Sequence, residues 1–152
     1  MEEKIKIIDF NREFLLIFEK YKKIIKKILP TSKIYLIGSS AVPMKGKEEI
    51  DILIETDNPK EAQRILFKEG FSKGFETDNK IYHMDFRFGI ECQIHLVEKG
   101  NKWIKRHLDF IKKLQKNHKI RKELEKLKEE CDGLTKDEYK KRKNKFIQKY
   151  IE

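Results

Sequence analysis

Long apolar runs are missing from this chain, and their absence limits the classes of protein to which it can belong. A membrane-spanning helix needs about 20 consecutive, predominantly apolar residues, and no stretch of the sequence approaches that length. The N-terminal residues also lack the apolar segment of a secretory signal peptide. We therefore expect a cytoplasmic protein with no membrane-embedded part.

Cysteine is scarce as well, with Cys92 and Cys131 the two among 152 residues. They lie far apart in the sequence and lack the spacing of metal ligands, so we expect two reduced, partly buried thiols and not a disulfide framework or a zinc site. The sequence contains no internal repeat and no flexible linker. Residues 1–152 are therefore predicted to form a single domain.

Charged residues are abundant: they make up 41% of the chain, against 38% hydrophobic residues. This composition predicts a modest core, but the apolar residues recur with regular periods, which a disordered chain would not show. The net charge of +10 is concentrated in residues 102–152, which hold 18 basic and 9 acidic side chains. Such a basic third is typical of a surface that attracts nucleic acid or phosphorylated ligands, and equally of lysine-rich helix faces exposed to solvent.

Short apolar runs bounded by turn residues predict the strands. They cover Lys4–Ile8, Lys33–Ile37, Ile50–Glu55, a short edge strand at Phe71–Phe75, and a hairpin of Lys80–Phe88 and Ile90–Val97 around Gly89. Capping residues and proline mark the helices. Their predicted limits are Asp9 or Asn11 to Leu29, Asn58-Pro59 to Glu69, and a helical last third with a break near Asn117, a turn at Asp132-Gly133 and a capping box at Thr135-x-x-Glu138.

These elements predict an α+β fold, with a small mixed β-sheet, helices packed on one face and a helical C-terminal tail. One loop and the strand after it carry the first candidate site. The strand that ends at Ile37 runs into Gly38-Ser39-Ser40, where backbone N–H groups and hydroxyls can approach a phosphate because glycine has no side chain to block it. A plain tight turn is the alternative interpretation.

Asp51 follows this loop within an apolar run, where an unpaired carboxylate is costly. It therefore needs a metal ion, a cation or a set of hydrogen-bond donors. A structural lysine or arginine partner would satisfy it without any function.

Polar and apolar residues alternate along both strands of the predicted hairpin. The polar members are Glu91, Gln93 and His95 on the second strand, and His83, Asp85 and Arg87 on the first. We expect both sets to line one polar face of the sheet while helices cover the apolar face. Any half-exposed antiparallel sheet produces such a face, but Glu91 and His95 are also suited to metal ligation or proton transfer.

The order of these motifs resembles that of the GrpB family. The matching stretches are Ile37-Gly38-Ser39-Ser40-Ala41-Val42-Pro43 with Ile50-Asp51-Ile52, similar to G-S-T-A-V-P…I-D-I; Gln93-Ile94-His95-Leu96, similar to H-L-H-V; and Trp103 with Arg106-His107-Leu108-Asp109-Phe110, similar to W-x-x-H-L-x-F. The tail follows the family layout at Leu124, Leu127, Lys128, Tyr139 and Phe146-Ile147. The match covers nearly the whole chain.

The resemblance implies the nucleotidyltransferase fold of polymerase-β-like enzymes, in which a Gly-Ser turn holds a triphosphate and strand carboxylates bind Mg²⁺. It implies a nucleoside triphosphate as ligand and a hydroxyl of a small molecule, protein or RNA as acceptor. The implied nucleotide-binding residues are Gly38, Ser39, Ser40 and Lys47, the implied Mg²⁺ ligands are Asp51 and Glu91, and the implied catalytic residues are Asp51, Glu91 and His95. Some relatives are fused to a dephospho-CoA kinase domain, but this sequence has no Gly-x-x-x-x-Gly-Lys phosphate loop.

Several positions depart from that pattern. Leu53 stands where the superfamily carries a second strand acid, with Glu49 and Glu55 further out on the same face; Gln93 replaces the first histidine of H-L-H, and Trp103 lies one residue further from His107. Two-metal transfer needs several carboxylates around ions about 3.5–4 Å apart, so one Mg²⁺ on Asp51 and Glu91 fits better than a two-metal centre. Lys45 or Lys47 would still reach a phosphate.

The leading hypothesis is therefore nucleotidyl transfer from a nucleoside triphosphate with Mg²⁺. A catalytically degenerate nucleotide- or RNA-binding module of the same fold is the alternative, and Leu53 and the basic tail favour it. A third possibility is one half of a two-component system that pairs with a helical partner.

Overall fold

The computed structural model describes residues 3–77 and 79–151, which form seven strands and five helices. The strands are β1 (Ile7–Ile8), β2 (Lys33–Ile37), β3 (Gly46–Lys47), β4 (Glu49–Thr56), β5 (Phe75–Thr77), β6 (Lys80–Asp85) and β7 (Glu91–Glu98). The helices are α1 (Glu13–Ile28), α2 (Pro59–Lys68), α3 (Lys102–Lys116), α4 (His118–Cys131) and α5 (Lys136–Ile151). Within this described part, no helix is long and apolar enough to cross a membrane.

Five strands form one mixed sheet in the order β2-β4-β7-β6-β5. β4 and β7 run parallel, and the other neighbours are antiparallel. Ile37, the last residue of β2, pairs with Asp51 of β4, and Asp51 pairs with Gln93 of β7. The turn that follows β2 therefore lies beside Asp51.

α1 and α2 cover one face of this sheet. Every second residue of β4 and β7 points into their core, because side chains alternate along a strand. The buried members are Ile50, Ile52 and Ile54 of β4, Cys92, Ile94 and Leu96 of β7, Phe14, Ile17, Tyr21 and Ile25 of α1, and Ala62 and Leu66 of α2. The residues between them, including Asp51 and His95, consequently face the other side.

The helical tail packs on that other side. Trp103, Ile104 and Ile111 of α3 contact a buried cluster of Ile37, Leu53 and Val97. Val42 and Met44, from the loop after β2, are buried with Leu114, Ile120 and Leu124. The tail therefore forms a wall beside this loop.

The N-terminal segment joins the loop to the tail. The N–H of Ile5 donates to the backbone oxygen of Leu134 at 2.8 Å, and the N–H of Ile7 donates to Asp132 Oδ1 at 3.0 Å. β1 and β3 form a separate two-stranded ribbon in which Ile7 pairs with Lys47. Both ends of the chain thus contribute to the surroundings of the loop.

The predicted α+β class, mixed sheet and helical tail are confirmed. β2 has its predicted bounds, the predicted break near Asn117 is present, and the capping predictions at Asn58 and Thr135 are confirmed. At all three positions a backbone N–H group donates to a side-chain oxygen. These hydrogen bonds join Glu61 to Asn58 at 3.2 Å, Ile120 to Asn117 at 3.1 Å, and Glu138 to Thr135 at 3.3 Å.

Three strand boundaries were predicted wrongly. The first strand is only Ile7–Ile8, because its partner β3 has just two residues. The edge strand lies at Phe75–Thr77 instead of Phe71–Phe75. The preceding residues are held by Ser72, whose Oγ accepts from the N–H of Met84 at 2.6 Å. β6 ends at Asp85, well before Phe88, because its carboxylate accepts the N–H of Arg87 at 3.1 Å and turns the chain.

The expectation of one shared polar face on the hairpin was also wrong. In the observed register Tyr82 pairs with His95, whereas His83 pairs with Ile94 on the face covered by α1 and α2. Asp85 is buried on that same face, where Tyr21 Oη donates to its Oδ2 at 2.7 Å and Arg87 Nε lies 2.7 Å from it. His83, Asp85 and Arg87 are therefore structural and lie away from Glu91 and His95.

Candidate functional site

Gly38 brings the turn after β2 against Asp51. Its φ is +74°, a left-handed conformation that favours glycine, and a Cβ built there would lie 2.7 Å from Asp51 Oδ2. Residues Ser39–Ala41 then form one 3₁₀ turn. Glycine is thus required both by the backbone conformation and by the closeness of the carboxylate.

Asp51 is paired with His95 across the strands. Their side chains are 17% and 11% exposed, and His95 Nε2 lies 3.3 Å from Asp51 Oδ1. Burial raises the pKa of Asp51. The hydrogen bond with His95 and the positive charges of His95, Lys143 and Lys47 lower this pKa by a larger amount, so the net shift is downward. For His95, burial lowers the pKa by more than the hydrogen bond and negative charge of Asp51 raise it, so the net shift is also downward. The pair therefore consists of an ionised carboxylate and a neutral imidazole at neutral pH.

Glu91 pairs with Glu49 in the strand register and not with Asp51. Glu49 is 8% exposed; Gln93 Nε2 donates to it at 3.4 Å, and Lys47 Nζ lies 3.1 Å from it. Burial, the charge of Asp51 and a hydrogen bond with Glu91 raise the pKa of Glu49 to about 8, and Lys47 opposes this by less. Glu49 is therefore mostly protonated at neutral pH, which makes it a poor ligand for a metal ion.

Ser39, Ser40 and Lys47 lie around the same turn. Ser40 is buried and its Oγ donates to the backbone oxygen of Glu49 at 3.3 Å, so it holds the turn to β4. A Cβ at Gly46 would overlap Ser39 Oγ, which places that hydroxyl directly against β3. Lys45 points away, since its Nζ lies 2.6 Å from Glu129 of α4. Lys47 is therefore the loop lysine on the side of Asp51.

Residues that sequence reasoning did not select lie behind His95. Lys80 is 4% exposed, and its Nζ lies 3.4 Å from His95 Nδ1 and 2.7 Å from His107 Nε2. It also lies 4.3 Å from the ring centroid of Trp103, within the range of a cation–π contact. If the ammonium donates to His95 Nδ1, Nε2 carries the imidazole proton and donates it to Asp51. Lys80 thereby fixes the orientation of His95.

A second overlooked residue is Lys128 of α4. It is 2% exposed, and its Nζ donates to the backbone oxygen of Lys45 at 3.0 Å. One signal could have found it: Lys128 lies at i+4 from Leu124 and i−3 from Cys131, on the buried stripe of its helix.

The metal-binding capacity of the site is small. No group of three His, Cys, Asp or Glu side chains among the described residues is arranged to hold a metal ion. Mg²⁺ is commonly held by one or two carboxylates together with substrate phosphates. Asp51, ionised and next to the Gly38 turn, fits that mode. A two-metal centre does not fit, since Leu53 is fully buried in the position of a second acid.

Solved structures of other proteins have a similar fold. Cid1 poly(U) polymerase with MgGTP matches with a TM-score of 0.53 at 16% identity, over 75% of this chain and 41% of that chain. A cytoplasmic RNA terminal U-transferase matches with a TM-score of 0.51 at 18% identity, over 76% and 38%. This chain spans less than half the length of either protein. The fold therefore resembles the Cid1 nucleotidyltransferase fold.

The chain belongs to the GrpB protein family, whose sequence model matches residues 4–152. The crystal structure of GrpB from Enterococcus faecalis matches with a TM-score of 0.76 at 24% identity, over 96% of this chain and 99% of that chain. A UPF0157 protein of Vibrio cholerae is 28% identical over 141 residues, which are 89% of this chain and 74% of that protein. The family membership predicted from the motifs is confirmed.

Proposed function

We propose that this protein binds a nucleoside triphosphate with Mg²⁺ and transfers a nucleotidyl group to a hydroxyl acceptor. The observation that carries the proposal is the contact between Gly38 and Asp51. It puts a turn with free approach to the backbone beside an ionised carboxylate, in a fold that resembles a polymerase crystallised with MgGTP. A polyphosphate and its cation need these two features side by side.

In this proposal the turn and Asp51 have separate roles. The backbone of Gly38 and the hydroxyl of Ser39 bind phosphate oxygens, while Ser40 keeps the turn attached to β4. Lys47 adds a positive charge from β3. Asp51 would hold Mg²⁺, with Glu91 of β7 as the further acid. The ion, when bound, supplies charge neutralisation for the triphosphate.

The transfer step forms one bond and breaks one. The acceptor oxygen attacks the α-phosphorus, the bond from that phosphorus to the α–β bridging oxygen breaks, and pyrophosphate leaves. The acceptor proton passes to the carboxylate of Asp51, which neutral His95 holds in place by donating from Nε2 to Oδ1 at 3.3 Å. Lys80 and His107 act as positioning residues that hold His95 toward Asp51. Orientation and charge stabilisation supply the remaining rate enhancement.

Isothermal titration with each of the four nucleoside triphosphates and Mg²⁺ tests the binding step. We expect the wild-type protein to bind and Asp51→Ala to bind at least tenfold more weakly, while Asp109→Ala, an exposed aspartate of α3, leaves binding unchanged. No binding by wild type, or equal binding by wild type and Asp51→Ala, overturns the proposal. Pyrophosphate release measured with candidate acceptors, RNA among them, then tests transfer.

A non-catalytic nucleotide- or RNA-binding module is the second candidate. One observation favours it: Leu53 is fully buried with Ile37 and Val97, so the site carries an apolar side chain where transfer enzymes of this fold carry an acid. In that case nucleotide or RNA binding survives Asp51→Ala, weakens steeply with salt, and is not accompanied by pyrophosphate release.

A further inference from the structure

α4 buries a lysine against the loop that follows β2, at a cost to stability. Lys128 is 2% exposed, and its hydrogen bond goes to a neutral backbone oxygen, that of Lys45. A buried ammonium is costly unless an anion compensates it. The negative charges of Asp51 and Glu125 stabilise the charged form of Lys128, but burial and the positive charge of Lys143 destabilise it by more. Stability therefore does not account for a cation at this position.

Two further lysines add to the unfavourable charge. Lys47 of β3 and Lys143 of α5 both act on Lys128 as like charges, and both act on Asp51 as opposite charges. Three elements thus bring cations toward one carboxylate. Like charges repel unless an anion lies among them, and a polyphosphate would convert this repulsion into attraction.

Gly46 shows that Ser39 of the turn and Lys128 of α4 lie close together. A Cβ built on Gly46 would overlap Ser39 Oγ and would lie 3.5 Å from Lys128 Nζ. The hydroxyl of the turn and the ammonium of α4 therefore approach the same point. Only glycine at position 46 leaves room for Ser39 Oγ, and an anion beside this hydroxyl would also lie near Lys128 Nζ.

We propose that Lys128, with Lys47 and Lys143, forms the polyphosphate subsite, so that the helical tail supplies part of the nucleotide site. This inference rests on the proposed function and adds to it the part of the ligand that the tail recognises. Lys128 would exchange its bond to the Lys45 backbone oxygen for a phosphate oxygen. Recognition through the phosphates does not depend on the base, and inorganic triphosphate is therefore a ligand as well.

The same subsite couples binding to protons. Burial and the charge of Lys143 lower the pKa of Lys128 to about 7. A phosphate beside Nζ would raise this pKa, so that binding takes up a proton when Lys128 is partly neutral beforehand. The charged groups that act on Lys128 are Lys143 of α5, Asp51 of β4, Glu125 of α4 itself and Lys47 of β3.

The experiment is a titration of the whole chain, at pH 8, with inorganic triphosphate and separately with Mg²⁺ and each nucleoside triphosphate. Lys128→Met is compared with Lys126→Met, which removes an exposed lysine of the same helix. We expect Lys128→Met to lose at least tenfold in affinity for both kinds of ligand, and Lys126→Met to match wild type. Titrations in two buffers of different ionisation enthalpy should show proton uptake by wild type and none by Lys128→Met.

The outcomes separate this proposal from the one before it. Equal binding by wild type and Lys128→Met overturns the polyphosphate subsite and leaves nucleotide binding intact. Binding of inorganic triphosphate without any nucleoside triphosphate supports the subsite but overturns nucleotide transfer, and binding of neither overturns both. Lys128→Met should melt no lower than wild type because it removes a buried charge. If it melts at a lower temperature, Lys143→Met is tested instead, because Lys143 is only half-buried. Lys143→Met must then bind both kinds of ligand more weakly than wild type.

Discussion

At the scale of single residues, Gly38 and Gly89 share a backbone conformation but differ in surroundings. Their φ angles are +74° and +89°; a Cβ at Gly38 would lie 2.7 Å from Asp51 Oδ2, whereas one at Gly89 would have no described atom within 4 Å. The left-handed conformation costs an L-residue roughly 1–2 kcal/mol. Overpacking typically adds about 1–3 kcal/mol.

We therefore expect Gly38→Ala to lower the free energy of unfolding by more than Gly89→Ala does. The difference should be about 1–3 kcal/mol, the cost of pushing the added methyl against the carboxylate. Urea denaturation of the two variants measures it. Equal losses would mean that Asp51 moves aside freely, and that the turn and the carboxylate are not held together.

Glu49 gives the protein a pH-dependent stability. Its pKa is raised from 4.5 to about 8 in the folded state. Between these two values the folded state binds more protons than the unfolded state, so this group makes the protein less stable as the pH rises. The effect is at most about 1.4 kcal/mol per pH unit.

Glu49→Gln removes this dependence while keeping the shape of the side chain. We expect the free energy of unfolding of Glu49→Gln, relative to wild type, to increase steadily from pH 5 to pH 8. Comparing the two proteins cancels the contributions of His107 and Lys128, whose lowered pKa values act in the opposite direction. A constant difference across this range would show that Glu49 is ionised throughout.

At the scale of elements, the sequence predicted best what depends on neighbours in the chain. β2, the start of α2 at Asn58-Pro59 and the break at Asn117 all follow from local capping and turn chemistry. The prediction of one polar face on the hairpin was wrong because alternation shows only that two sets of residues lie on opposite faces. It does not show which set a helix covers. Asp85 could be buried because Tyr21 and Arg87, from other positions, satisfy its carboxylate.

The site was predicted unevenly for the same reason. Gly38, Asp51 and His95 do come together, since a motif keeps the turn and the strands in one order. Lys128 lies on the buried stripe of its helix, and this sign was overlooked, but for Lys80 a chain with 36 basic residues gives no local sign that this lysine becomes buried. That depends on the packing of α3 and α4 against the sheet.

At the scale of the whole molecule, the two thiols report on different parts of the core. Both are fully buried and unpaired, more buried than the sequence suggested. Cys92 lies in the large cluster under α1 and α2, and Cys131 in a small one with Ile5 and Tyr139. Burial raises the pKa of both thiols, which makes them poor nucleophiles in the folded state.

We expect both thiols to react with a disulfide reagent far more slowly in the native protein than in denaturant. Cys131 should react before Cys92, because a small cluster opens more readily than the main core. Cys92→Ser and Cys131→Ser variants, each leaving one thiol, allow the two rates to be measured separately. Rapid native reaction of Cys92 would contradict the packing of the sheet against α1.

The hydrogen bond from Ile7 to Asp132 spans 125 residues. During synthesis, the segment that carries Ile7 leaves the ribosome long before its partners at the α4–α5 turn exist. All five strands of the main sheet are complete by Glu98, so the sheet can assemble first while this segment stays without its partner. β1 also carries the pairing to Lys47, and Lys128 arrives only with α4. A ribosome-bound chain that ends before α4 therefore has the sheet, Asp51 and Lys47 but lacks Lys128 and Lys143, and the set of cations around Asp51 is complete only near the end of translation.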